Sequence, residues 1–509
     1  MPARQAILER HVRPLYSYYQ TELLNSGPDK LGADMRTYLL AHIRAWAAEG
    51  RVENVGAGLW FELLTMCYQL LVRSGTTSAL EVANRFADQV PDLLASDLAL
   101  GDRMSVYDIL RHLFFMAGTT FADYRPFDER VVRPYSAWMR AQGGAGGERR
   151  RLEPGRRLRI GYMCNYPAMM GVGRVLAPLF ISMILDHREG LDHDCIAYSV
   201  GEPDASWRRF LADAGIPVVP LPFTGYAARG DCGFPQVLAQ LQAERLDILL
   251  TDENLALPGY VFEHRVAPVQ VYVAMAMPFW GLQNLDYIML GSNSLDVSPD
   301  LPPERKIARR YGYNARFLDT RDQTAIAAVR EGIPPHHRVA GTFSRFVRIG
   351  EEFLAVLARI LDQNPDVTVI LGGNGDPSTI RAFMAQSPHR DRIRFFPHDV
   401  DMLVYGRAID FMLDTLPLRS GNVCREVQYF GKPVVALRHE GFTKYQSELR
   451  DPELVCADVD AYVQAAGRLI RDPAFLAARS TKAREIGLAE ASTGNHLANL
   501  RELIARASA

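Results

Sequence analysis

The sequence predicts two successive doubly wound α/β domains preceded by an all-helical one, and three observations carry that reading. Apolar residues recur at helical spacing up to about residue 142. A stretch rich in glycine and arginine then interrupts them. From Leu158 onward, short apolar runs of strand length alternate with longer helix-like segments, in two series. A chain of 509 residues is too long for a single core, which suits this division.

In residues 1–142 the helical period is visible in LWFELLTMCYQLLVRSG and VYDILRHLFFMAG, with Gly and Pro falling between segments where helix ends are expected. No fixed-period repeat runs through this region, so a tetratricopeptide array is not supported. Residues 143–157, GGAGGERRRLEPGRR, read as a linker. In the first α/β domain, 158–325, strands are expected at LRIGYMC (158–164), DCIAYSV (194–200), DILLT (247–251) and VQVYVAMA (269–276). Segments such as WRRFLADAG and FPQVLAQLQAERL supply the helices between them. In the second, 326–509, strands are expected at RVAGTF (338–343), VTVILGG (367–373), IRFFP (393–397), FMLDT (411–415) and PVVAL (433–437). Here EEFLAVLARILDQ, STIRAFMAQS, MLVYGRAI and REVQYFG are the helices. Such alternation builds a parallel sheet covered on both faces, whose ligands sit at the carboxyl ends of the strands. A site is therefore expected in the cleft between two such domains.

Composition excludes several function classes. A net charge of −2 gives no electrostatic case for nucleic acid or an anionic membrane. The six cysteines are scattered with no CxxC pair, which argues against a zinc site or a disulfide framework and for thiols in a reducing compartment. The N-terminus, MPARQAILERHVRPLY, lacks the apolar segment of a secretory signal, and LAPLFISMIL is too short to span a bilayer. A soluble cytoplasmic protein is expected.

The most informative stretch for chemistry is FMLDTLPLRSGNVCREVQYFGKPVVAL (411–437). A strand ends at Asp414, a proline-containing loop follows, and Ser420, Gly421 and Asn422 open a helix. Free backbone N–H groups and the helix dipole there suit a diphosphate, and Gly421 permits close approach. Glu426, one turn on, is placed to accept hydrogen bonds from ribose hydroxyls. A capped helix after a βα loop is the plainer alternative. In GTFSRFVRIGEEF (341–353) a strand ends at Ser344, and Arg345 and Arg348 precede a helix, where a cation can neutralise charge on a leaving diphosphate. Two solvated arginines are the competing reading. LGGNGDP (371–377) lacks both GxGxxG and P-loop spacing. The loop at His398 and Asp399 offers backbone groups to a base edge. In the first α/β domain, Asp252 and Glu253 follow a strand and suit a general base, or merely cap the next turn. Phe279 and Trp280 offer an aromatic wall on the acceptor side, with ordinary core packing as the alternative. Asp-x-Asp pairs that would hold Mg²⁺ do not stand out, so neither a metal nor a cofactor is expected.

These same residues carry a family resemblance. APVQVYVAMAMPFWGLQNLDYIMLGS (267–292) is similar to the segment of the O-GlcNAc transferase family that reads as an Ala-Pro-Ile-Gln strand, a Tyr-Pro-Gly loop and Met-Asp-Tyr. RRLRIGYMCNYP resembles that family's first catalytic strand, and IPPHHRVAGTFSRFVRI its Leu-Pro…Phe-Asn-Gln-Leu-Tyr-Lys-Ile element. LDTLPLRSGNVCREVQYFGKPVV resembles its Leu-Asp-Thr…Asn-Gly-His-Thr-Thr…Asp…Gly-Thr-Pro signature. Order and spacing agree across roughly residues 156–440. The helical N-terminal region without repeats is more similar to the bacterial cytoplasmic N-glycosyltransferases that modify adhesins, members of the same superfamily. The resemblance implies a GT-B fold of two facing Rossmann-like domains and a UDP-sugar donor. Its implied acceptor is a protein side chain, with flagellin or an adhesin as the acceptor by analogy. It implies that Arg348 stands where the family has a diphosphate-neutralising lysine. Gly421 and Asn422 fall at the pyrophosphate-binding helix start, and Glu426 matches the ribose-binding aspartate.

There are departures. AMMGVGR (168–174) occupies the first βα loop, where the family carries a histidine, and Ser-Gly-Asn-Val-Cys replaces Asn-Gly-His-Thr-Thr. The expected activity is an inverting, metal-independent transfer to Ser, Thr or Asn. A sugar-nucleotide-binding or partner-binding protein that has lost catalysis, or a GT-B enzyme acting on a glycan or lipid, is the alternative.

Overall fold

The computed structural model describes residues 83–84, 86–116, 127–142, 151–153, 155–164, 176–203, 205–225, 230–252, 256–273, 281–291, 302–309, 322–375, 377–398, 400–416, 420, 423–438, 450–490 and 494–509. The helical segment LWFELLTMCYQLLVRSG lies outside these residues.

Among the described residues two parallel sheets form. The first has seven strands: β1 (Leu158–Cys164), β2 (His193–Val200), β3 (Val218–Leu221), β4 (Ile248–Thr251), β5 (Val269–Val273), β6 (Tyr287–Gly291) and β7 (Lys306–Arg309), in the order β3-β2-β1-β4-β5-β6-β7. The second has six: β8 (Arg338–Phe343), β9 (Val367–Gly372), β10 (Ile393–Phe396), β11 (Phe411–Leu413), β12 (Val434–Leu437) and β13 (Val455–Cys456), in the order β10-β9-β8-β11-β12-β13. The expected α/β architecture of two Rossmann-like units in series is present. Strand β8 and the helix Glu351–Gln363 occupy the residues expected of them. The predicted strand at 269–276 is described through Val273.

Burial explains which strands the sequence announces. All six residues of β9 and all four of β4 are buried, as a strand covered by helices on both faces requires. Three strands that the sequence did not announce are peripheral or short. Edge strand β3 carries Pro220 and is largely half-buried, β7 reads KIAR on the other edge, and β13 spans two residues.

One device recurs at the amino ends of the sheets. Asp247, Asp286 and Asp410 each immediately precede a strand (β4, β6 and β11). Each carboxylate accepts the N–H of a residue in the neighbouring strand, from Arg159 at 2.8 Å, Gln270 at 2.8 Å and Val339 at 2.7 Å respectively. Each also pairs with an arginine: Arg156, Arg265 at 2.9 Å and Arg330 at 2.7 Å. A carboxylate at this place satisfies an N–H at the start of the ladder and is itself neutralised.

Two boundaries drawn from the sequence are redistributed by packing. The described helices of the N-terminal region, Val90–Ala95, Leu100–Met116 and Arg133–Ala141, share one core with a face of the first sheet. There Tyr107, Leu110, Tyr135 and Met139 pack with Tyr198, Leu249 and Tyr272. Glu263, fully buried, accepts hydrogen bonds from the Ser136 hydroxyl at 2.7 Å and the Gln283 N–H at 2.8 Å across this junction. At the other end, the helix Gly494–Ser508 belongs by packing to the first sheet. Leu500, Leu503 and Ala507 enter its second core, and His496 meets Asp186 at 2.6 Å. The described end of the linker is likewise docked: Leu152 is buried in that core and its N–H donates to the Ala507 carbonyl at 3.1 Å.

If the last helix is integral to the first α/β unit, Leu503→Ala should leave a cavity in that unit's core. The expected cost is about 2–5 kcal/mol, read as a lower urea midpoint of the full chain. An unchanged midpoint would contradict this packing.

Candidate functional site

Strand order locates the first requirement of a site. In the second sheet β9 and β10 lie on one side of β8 while β11, β12 and β13 lie on the other. The connections leaving β8 and β11 therefore part in opposite directions, opening a crevice at their carboxyl ends. In the first sheet the corresponding reversal falls between β1 and β4.

The segment after β8 is held rigidly. Ser344 N–H donates to the Gly372 carbonyl at 3.1 Å and Phe346 N–H to the Asn374 carbonyl at 2.7 Å. The buried Phe346 ring packs 5.3 Å from Phe395, and Phe346–Arg348 closes a 3-10 turn. This turn explains the glycine-rich LGGNGDP loop without a ligand. A Cβ on Gly373 would stand 1.8 Å from the Ser344 carbonyl oxygen, so only glycine lets the two backbones approach. The loop buttresses the segment bearing Arg345 and Arg348.

The segment after β11 is organised by Asp414, which is 1% exposed. Its Oδ1 accepts the Ser420 N–H at 2.7 Å, and its Oδ2 lies 3.9 Å from Arg450 Nη2. Tyr462 donates its hydroxyl to the Asp414 carbonyl at 2.8 Å, and Arg450 Nη1 donates to Gln428 Oε1 at 3.1 Å. The Thr415 and Ser420 hydroxyls are 3.2 Å apart. The 414–420 loop is thus tied at both ends to one buried carboxylate. Neither this tie nor Arg450, Gln428 and Tyr462 was singled out from the sequence. A strand of buried residues ending in Asp was the available signal, but its partner Arg450 lies 36 positions away in a different loop.

The two segments meet electrostatically at Arg348. Burial pushes the half-buried guanidinium below its ordinary pKa, Arg345 adds to that effect, and Asp414 and Cys424 oppose it. A guanidinium stays charged under these influences.

Of the other residues expected in the site, Ser344 is half-buried at the end of β8, and Ser420 and Glu426 are buried beyond β11. Asp252 is buried directly after β4, at the reversal point of the first sheet. His398 lies beyond edge strand β10, exposed, with its ring 6.0 Å from Phe396, so β9 and β8 separate it from β11. Glu253, Phe279, Trp280, Asp399, Gly421 and Asn422 lie outside the described residues. Among the described residues Cys164, Cys195, Cys232, Cys424 and Cys456 are buried free thiols, and no described helix is long and apolar enough to cross a membrane.

Neither a protein-family model nor a curated protein matches the chain. Solved structures do. A point mutant of the Thermobaculum terrenum O-GlcNAc transferase aligns over 99% of this chain and 94% of its own, with 21% identity and a TM-score of 0.59. Anabaena HepE, solved in complex with UDP and glucose, aligns over 69% of this chain and 100% of its own, at 17% identity and a TM-score of 0.53. The N-terminal domain of Candida albicans trehalose-6-phosphate phosphatase covers 71% and 100% respectively, at 13% identity and a TM-score of 0.50. The fold is GT-B, two Rossmann-like domains in tandem.

The role given to Asp414 separates two substitutions. Asp414→Ala removes the acceptor for Ser420 and a carboxylate from beside Arg450, with an expected loss of about 3 kcal/mol in urea unfolding. Asp414→Asn retains an oxygen for the Ser420 N–H and should lose less, with slower hydrogen exchange at Ser420 than in the alanine variant. Equal behaviour of the two would contradict the tie.

Proposed function

We propose that the protein is a metal-independent, inverting glycosyltransferase that moves a sugar from a UDP-sugar to a protein side chain, the hydroxyl of Ser or Thr or the amide of Asn. The observation that carries this is Arg348, a guanidinium driven down in pKa by burial, at the strand-order reversal of the second sheet and beside the Asp414-anchored loop. A diphosphate brings two adjacent negative groups to such a place. HepE, solved with UDP and glucose, and the O-GlcNAc transferase share the fold, which supports the choice of a uridine nucleotide.

In this reading Arg348 neutralises the diphosphate as it departs, and Ser344, Ser420, Gly421 and Asn422 hold its oxygens. Glu426 accepts from the ribose hydroxyls, and the chain at His398 and Asp399 reads the base. The acceptor enters along the first α/β unit, past Phe279 and Trp280. Its oxygen or nitrogen attacks the anomeric carbon from the side opposite the leaving group. The new bond forms as the bond from carbon to diphosphate oxygen breaks. The electron pair leaves with UDP, and the acceptor proton passes to Asp252 or Glu253. A guanidinium in a partly dry crevice stabilises the developing charge without a bound cation. Buried free thiols fit a reducing cytoplasm.

Calorimetry with UDP should show binding to the wild-type chain. A panel of UDP-sugars with labelled sugar should transfer label to protein in a bacterial lysate. Arg348→Ala is expected to lower turnover about 10²- to 10³-fold. Wild-type turnover in that variant rules the assignment out. UDP binding without transfer by the wild type would favour a nucleotide-binding protein that has lost catalysis.

A further inference from the structure

We propose that His336, His337 and Asp366 form a binding site for a borderline divalent transition-metal ion, with zinc as the representative, at the end of the second sheet opposite the candidate donor site. The placement follows from topology. The turn carrying both histidines leads into β8, and Asp366 leads into β9. These strands are parallel neighbours with Arg338 opposite Val367, so their amino ends lie side by side. The Arg338 N–H donates to the Asp366 carbonyl at 2.9 Å and fixes the two loops relative to each other.

The local chain geometry makes the cluster possible. Neighbouring residues in an extended strand point to opposite faces. Here Pro334 and Pro335 turn the chain, with the His337 N–H donating to the Pro334 carbonyl at 2.9 Å, and both imidazoles gather on one side. Their ring centroids are 4.7 Å apart with planes at 89°, so the rings meet edge to face. His336 Nε2 lies 3.7 Å from Asp366 Oδ1, and one donor atom of each of the three residues falls within 4.8 Å of the other two. Ligand atoms about one tetrahedral zinc stand roughly 3.3 Å apart, given bonds of about 2.0–2.2 Å. The 3.7 Å separation is close to that spacing, and the 68% and 64% exposure of the His336 and Asp366 side chains leaves both able to swing inward.

His337 is oriented by a neighbour. Its Nδ1 lies 2.9 Å from the Thr368 hydroxyl oxygen, and donation of Nδ1–H to that oxygen leaves the Nε2 lone pair for a metal. Two imidazoles and one carboxylate suit zinc, nickel or copper rather than magnesium, and water completes the coordination. As an ion pair alone, an exposed His–Asp contact of this length holds little. With a metal it would clip the starts of two central strands together.

The test is calorimetric titration of the untagged, full-length protein, stripped with EDTA, with zinc chloride alone. His336→Ala and Asp366→Asn, both at exposed side chains, are titrated in parallel after their metal-free unfolding midpoints are shown to match the wild type. The wild type is expected to bind one zinc ion per chain that each variant binds at least about tenfold more weakly. Cobalt in its place should give visible absorption bands that the variants lack. Absence of zinc binding by the wild type, or wild-type affinity in either variant, would overturn the site.

Discussion

A parallel sheet extended in both directions from one strand cannot avoid a crevice where its connections diverge, and the candidate site rests on that constraint. In the second sheet the divergence lies between β8 and β11. Right-handed crossovers send the chain leaving β8 and the chain leaving β11 to opposite faces, so neither covers the gap. The residues that follow those strands border this divergence. Arg345 and Arg348 follow one strand; Asp414, Thr415 and Ser420 follow the other. Their proximity is a consequence of winding, and chemistry is built on it.

Within that space charge is unevenly distributed. Asp414 closes β11, and its Oδ1 accepts the Ser420 N–H while its Oδ2 lies 3.9 Å from Arg450 Nη2. It opposes the lowering of the Arg348 pKa that burial and Arg345 produce.

The fold was legible in the sequence where burial leaves no freedom. Strands β8 and β9 and the helix Glu351–Gln363 read clearly because both faces of the sheet, or one face of the helix, are packed. Strands β3, β7 and β13 did not, being short edge strands or broken by Pro220, and β6, although its run YIMLG lies inside the sheet, was not among the expected strands. The helix Gly494–Ser508 packs on the first sheet although it follows the second in sequence. Its amphipathic pattern shows that it has a buried face but not which sheet receives it. In the site, Arg348 and Ser420 follow the strands β8 and β11 and Asp252 follows β4, which is where the strand ends in the sequence led to them. The hydrogen bonds among Asp414, Arg450, Gln428 and Tyr462 join segments far apart in sequence, which no local spacing encodes.

The two ends of each sheet divide their labour by the same backbone logic. At the amino ends the first N–H groups of a strand need an acceptor, and Asp247, Asp286 and Asp410 supply one from the adjacent strand's threshold, each balanced by arginine. Those carboxylates are spent on structure. At the carboxyl ends the strands present carbonyl oxygens, and the following loops must turn N–H groups outward. Asp414 is the exception that shows the rule's reach: a carboxylate at the carboxyl end, it too holds a backbone N–H, but of the loop rather than of a strand. It fixes the position of Ser420 relative to the end of β11. Preorganisation of that kind is what an anion site requires, because a loop that had to order itself on binding would surrender much of the gain in entropy.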